Sequence, residues 1–190
     1  LHSDSQGDDQ WVANNPAFGT TMTYYLKDSL KSAKDIRIEA DKELVKDGQG
    51  TTFPDFDTLE AENREAKPTV FVTIKDAAGN VVRNVDASNK KGVNRVAWNL
   101  RHSPRTAIVN ENSGIGGFRT PGAFATPGTY TATLNSRVDG TTSQLAGPVS
   151  FELERITGQA LQGVSVAEAT AFQLKIEAIG AEIAAANTTI

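Results

Sequence analysis

The 190-residue chain has no cysteine, which excludes disulfides, thiolate metal sites and a cysteine nucleophile together. Its only histidines, His2 and His102, lie far apart in sequence. A Ser-His-Asp arrangement through His102 and Ser103 lacks the Gly-x-Ser-x-Gly elbow that would support it. No apolar run approaches the roughly 18 residues that a membrane-spanning helix requires, so no membrane span is expected. Positive charge is also scarce. Nineteen Lys and Arg against 23 Asp and Glu leave a formal charge of −4, without the basic footprint that nucleic acid needs. Methionine occurs once, at Met22, and the chain opens on Leu1. The chain is therefore expected to be the remainder of a processed precursor or a piece of a longer protein.

What is present is polar and rich in turn formers. The hydrophobic fraction of 38% is low for a compact globule but above that of a disordered chain. Much of the polarity comes from Thr, Asn, Ser and Gly, which suits exposed strand faces and turns. The length fits one domain, or one domain with appendages.

The stretch 70–101 carries the clearest pattern. Val70, Val72 and Ile74 alternate with polar or outward residues, as a half-buried strand requires. Gly79 and Asn80 supply turn chemistry, and 81–85 reads as a returning strand. Lys90, Lys91 and Gly92 turn the chain again, and Val96, Trp98 and Leu100 alternate in a third strand. The three strands are expected to form a meander that seeds an antiparallel sandwich.

Around this centre, residues 1–19 form a polar arm that Trp11 and Phe18 could pin down. A first strand follows, with Met22, Tyr24 and Leu26 on one side. Residues 28–66 read as a helical insertion. Ala33, Ile36, Ala40 and Leu44 recur at helical spacing, and Gly48 stands just past the helix end. Asp57 and Glu60 have the spacing of a capping box for a short second helix. Residues 102–126 are dense in Gly and Pro and are expected to form a long loop. Tyr130, Ala132 and Leu134 alternate in a further strand, Asp139-Gly140 marks a hairpin, and Val149, Phe151 and Leu153 alternate in the last strand. Gly147-Pro148 predicts a bulge or an edge position there. A final helix over 164–187 opens on a Ser165/Glu168 capping box and carries the stripe Phe172, Ile176, Ile179 and Ile183. The fold class expected is mainly β: an antiparallel sandwich over 20–156 with a helical insertion and a C-terminal helix.

Two resemblances extend this reading. Asp76, Gly79, Val82, Gly92, Asn94, Val96, Trp98, Pro127, Gly128 and Tyr130 match the spaced motifs of the immunoglobulin-like, fibronectin-III-like module of the flagellar hook-cap protein and its relatives. More of the chain is similar to the C-terminal part of large secreted bacterial proteins that carry a sortilin-type β-propeller of BNR (Asp-box) repeats. There NPAFGTTMTYYLK, FPDFDTLEAENRE and GVNRVAWNLRHSP occur in the same order. This resemblance implies a non-catalytic accessory module, secreted, periplasmic or at the cell surface, partnered by a preceding propeller or a second subunit. No Asp-box repeat, Ser-x-Asp-x-Gly-x-Thr-Trp, occurs in the chain, so no catalytic residue is carried over to it.

Candidate chemistry has a plainer reading at nearly every position. Trp98 shares a strand face with Val96 and Leu100 and is expected in the core. Asp55, Asp57 and Glu60 offer paired carboxylates of the kind a glycoside hydrolase needs, but a helix cap explains them more economically. Asp4, Asp8 and Asp9 lack the register of a calcium loop, and Gly114, Gly116 and Gly117 lack the Lys-Ser/Thr of a phosphate loop. Asn187, Thr188 and Thr189 fit a glycosylation sequon, relevant only to a eukaryotic secretory host. The alternative to an accessory module is a carbohydrate- or cell-surface-binding module, with Trp11, Phe118 and Phe124 as ligand-contacting aromatics and a polysaccharide as ligand. No cofactor, metal or catalytic residue is assigned.

Overall fold

The structure is a computed structural model in which residues 15–105, 122–156 and 163–188 are described. Six strands and three helices follow the order β1 (Thr20–Leu26), α1 (Ala33–Lys46), α2 (Phe56–Arg64), β2 (Thr69–Asp76), β3 (Val81–Ala87), β4 (Gly92–Trp98), β5 (Gly128–Val138), β6 (Thr141–Leu153) and α3 (Val166–Thr188). Two antiparallel sheets result, one of two strands in the order β1-β4 and one of four in the order β3-β2-β5-β6. The helices hold nearly as many residues as the strands, so the fold is mixed α/β and not mainly β.

The meander expected over 70–101 is not what forms. β2 and β3 pair as a hairpin, with Val72 opposite Val85, but β4 leaves that sheet and pairs with β1, Trp98 opposite Thr20. Period-two alternation reports which face of a strand is buried and is silent about which sheet supplies its neighbours. Crossing to the second sheet carries Trp98 between the layers, where it is fully buried. Its ring centroid lies 5.4 Å from that of Tyr130 and 6.2 Å from that of Phe151. Val70, Val72 and Ile74 from β2 and Leu134 from β5 complete the core beside them.

The crossing is held by two asparagines. Asn94 is buried and donates to the carbonyls of Lys90 and Gly92 at 2.7 and 3.0 Å. Asn89 accepts from the amide of Leu30 at 2.7 Å and donates to the Leu30 carbonyl at 2.9 Å, fastening the start of the insertion to the β3–β4 connection. Leu100 does not extend β4, which ends at Trp98; its φ of 57° turns the chain instead.

The local signals at the helices are met with one change of residue. Ser32 caps α1 through a capping box with Asp35, Gly48 takes a φ of 71° beyond the helix end, and Ser165 and Glu168 form the expected box before α3. At α2 the cap is Asp55 and not Asp57: the Thr58 amide donates to its carboxylate at 2.7 Å. The cap falls there because Asp55 is the last extended residue, whose carboxylate can reach back over the first turn. Neither insertion helix has a buried residue, so the Ala33–Leu44 stripe is not a core face; Ile36 is 57% exposed. The two helices are joined by a forked ion pair, Arg37 to Glu62, at 2.6 and 2.8 Å. β6 is the edge of its sheet as expected, and its register against β5 breaks beside Gly147-Pro148, near Ala132 and Leu134.

Candidate functional site

Two places stand out around the pair of antiparallel sheets. The first arises from the unequal sheets. β4 lies beside β3, and β1 is the last strand of its sheet, so the inner face of β5 and β6 is left partly uncovered. An apolar cleft of about 330 Å³ opens between β1 and β6, lined among others by Met22, Tyr24, Val72, Leu134, Val149 and Phe151. No charged side chain lines it. The Tyr24 hydroxyl donates to the Ser88 carbonyl at 2.6 Å, and burial raises its pKa. The cleft therefore offers shape and apolar surface, with Tyr24 and the threonines Thr20, Thr21 and Thr23 as its polar side chains. Beside it, β1 presents an edge that pairs with no second strand among the described residues, and such an edge invites a further strand.

The second place is the junction between the end of β4, the segment 122–126 and α3. Trp98 donates its ring N–H to the Arg101 carbonyl at 2.9 Å, which fixes the backbone just past the strand. Arg101 then bridges to Phe124, donates to the Gly122 carbonyl at 2.9 Å and lays its guanidinium 3.6 Å from the Phe124 ring centre. The His102 amide donates to Ala123 and the Ala125 amide to Leu100, both at 2.8 Å. Gly122 is required here, since a Cβ would stand 2.1 Å from the His102 carbonyl oxygen. Arg83 donates to that same carbonyl at 3.1 Å. From α3, buried Thr170 donates to the Phe124 carbonyl at 3.2 Å. Burial pushes the His102 pKa down, opposed by the charges of Glu177 and Asp76. One carboxylate oxygen of Glu177 is buried without a hydrogen-bond partner.

The residues singled out from sequence separate accordingly. Phe124 is 43% exposed, but the Arg101 guanidinium already occupies one face of its ring. Trp11 and Phe118 lie outside the described residues, as do His2, Asp4, Asp8, Asp9, Gly114, Gly116, Gly117 and Thr189. Asp55 is spent as a helix cap, which holds its pKa low, and Glu60 pairs with Arg64 one turn along. Ser103 uses its amide on the Val82 carbonyl. No group of three metal-ligating side chains occurs among the described residues, and none of their helices is long and apolar enough to cross a membrane. Arg101 and Asn89 were not anticipated. A buried indole needs an acceptor, so the residues just past Trp98 carried the signal for the first; nothing local marks the second.

Comparison with known proteins gives no family model, no curated protein and no solved structure that matches the chain.

Proposed function

We propose that the chain is a non-catalytic accessory module of the immunoglobulin-like, fibronectin-III-like kind, which docks through the β1–β6 cleft onto a neighbouring body of a larger secreted bacterial protein. The observation that carries this is the cleft itself: a half-covered sheet whose apolar floor is bordered by a strand edge that is unpaired among the described residues. Exposed surface of that kind marks a contact site. The sandwich reading is supported by a tilted Trp98–Tyr130 pair between the sheets and by a tyrosine corner. The Tyr130 hydroxyl donates to the Thr126 carbonyl four residues back, at 2.7 Å. The resemblance to propeller-bearing proteins names the body as a preceding Asp-box β-propeller. Secretion, and a position in the periplasm or at the cell surface, follow from the same resemblance.

The test compares amide exchange of the isolated 190-residue chain with that of the chain joined to its preceding domain. Slower exchange at Thr21, Thr23 and Tyr25 on joining, abolished by Val149→Asp, supports docking. Val149 is 64% exposed, so the substitution should leave the fold intact. Unchanged exchange along β1 overturns it. Polysaccharide binding is the other reading for this chain. Among the described residues it draws only on Phe124, whose ring has one face taken by Arg101.

A further inference from the structure

The helix α3 shows two faces with different fates. Thr170 and Glu177 turn toward the sandwich, Thr170 bonding the Phe124 carbonyl and Glu177 acting on His102. Phe172, Ile176, Ile179 and Ile183 stay 52% to 65% exposed. At 3.6 residues per turn the two sets point about 140° apart, so docking on the sandwich leaves the stripe uncovered.

The stripe has the spacing of a coiled-coil seam. Ala169, Phe172, Ile176, Ile179, Ile183 and Ala186 alternate intervals of three and four residues, the 3.5-residue repeat that a helical partner requires. The same spacing serves any apolar helix face, and the flanking charges are what point to a helical partner. With Ala169, Ile176 and Ile183 as one set of seam positions and Phe172, Ile179 and Ala186 as the other, the charged flank is Glu168, Lys175 and Glu182.

We propose that α3 is the interface of an antiparallel homodimer, paired with α3 of a second copy about a two-fold axis near Glu177 and Ala178. Placing Ile176 against Ile179 of the second copy also sets Phe172 against Ile183 and Ala169 against Ala186. The layers run small, large, large and back again, the same from either copy, as an isologous contact must. In that register Lys175 faces Glu182 of the other helix, twice by symmetry. A parallel pair would place Lys175 beside Gly180 and Glu182 beside Asn187, with no charge complement, so the charges select the antiparallel arrangement. Lys175 and Glu182 are both exposed and make no ion pair with one another or with any described residue.

The available area fits a weak dimer. A 23-residue helix is about 34 Å long and about 11 Å across, so one lateral half offers about 600 Å² and two copies about 1,200 Å², the lower end of a specific interface. Association in roughly the micromolar range is the corresponding expectation.

Sedimentation of the full 190-residue chain from about 1 to about 500 μM tests this, roughly a twentyfold range on either side of a midpoint near about 20 μM. A dimer that Ile176→Asp abolishes is expected. Lys175→Glu and Glu182→Lys should each weaken it roughly tenfold, as loss of two charge pairs implies. An equimolar mixture of those two variants should recover association, because each then meets its complement. A chain monomeric throughout overturns the proposal. So does a dimer indifferent to Ile176→Asp, or one in which the mixed variants associate no better than either alone. Since all these substitutions lie on the exposed face, unchanged circular dichroism separates loss of contact from loss of fold.

Discussion

The guanidinium carbon of Arg101 lies 3.6 Å from the centre of the Phe124 ring, and the same two residues form an antiparallel backbone bridge. The contact ties the end of β4 to the segment on which α3 rests. It is half-exposed, so its electrostatic part should be worth about 0.5–1 kcal/mol. Phe124→Leu should lower unfolding stability by about that amount, read as a shift in urea midpoint at unchanged slope. Arg101→Lys should cost as much or more, because an ammonium keeps the charge but loses the planar stack and the Gly122 bond.

Trp98 carries both apolar burial and a hydrogen bond to the Arg101 carbonyl. Trp98→Ala should destabilise the chain by about 3–5 kcal/mol through the cavity it leaves. Trp98→Phe retains most of the ring but strands the Arg101 carbonyl, at a cost of about 1–3 kcal/mol for the unpaired group plus the lost volume. Chemical denaturation followed by circular dichroism measures both without relying on the tryptophan that is removed.

Asn89 bonds both backbone groups of Leu30. Asn89→Ala should free the insertion at its root. Faster amide exchange at Leu30, with little change at Val72 in the core, is the expected signature, and equal acceleration at both would count against it.

His102 supplies a pH dependence. Its folded-state pKa lies below the ordinary 6.5 because burial penalises the charged form. The unfolded chain therefore binds the proton first as pH falls. The stabilisation from the neutral ring is fully present above about 6.5 and is lost as pH drops from there toward the folded value. Denaturation midpoints between pH 8 and 5 should decline across this window in the native chain. In His102→Gln the decline should flatten, leaving only the carboxylate titrations further down, such as that of Glu62, whose pKa its pairing with Arg37 lowers.

Tyr130→Phe removes the hydroxyl bond to the Thr126 carbonyl and leaves the ring in place. A loss of about 1 kcal/mol is expected, measured by the same urea titration. A neutral result would mean that water replaces the hydroxyl at the corner without penalty.

Much of the local structure was legible from neighbours in sequence. The three helices, the caps at Ser165 and Gly48, the burial of Trp98 and the irregularity near Pro148 all follow from residues a few positions apart. The shift of the α2 cap from Asp57 to Asp55 shows the limit even there. Both residues have the right side chain, and the turn that precedes the helix decides which one is extended. Phe124 was legible as an aromatic in a Gly- and Pro-rich stretch, but its occupation by Arg101 was not, because the two residues lie far apart in sequence.

By itself, then, the amino-acid sequence determined which segments become strands and helices and which face of each strand is apolar, because those depend on period, turn chemistry and capping. Only the tertiary structure decided that β4 abandons the meander for β1, that a cleft opens over β6 and that the Phe172–Ile183 stripe stays uncovered. Alternation every second residue marks a face to be buried without naming what buries it. The partner is chosen where the summed burial is greatest, and here that was the far sheet, with Trp98 between the layers.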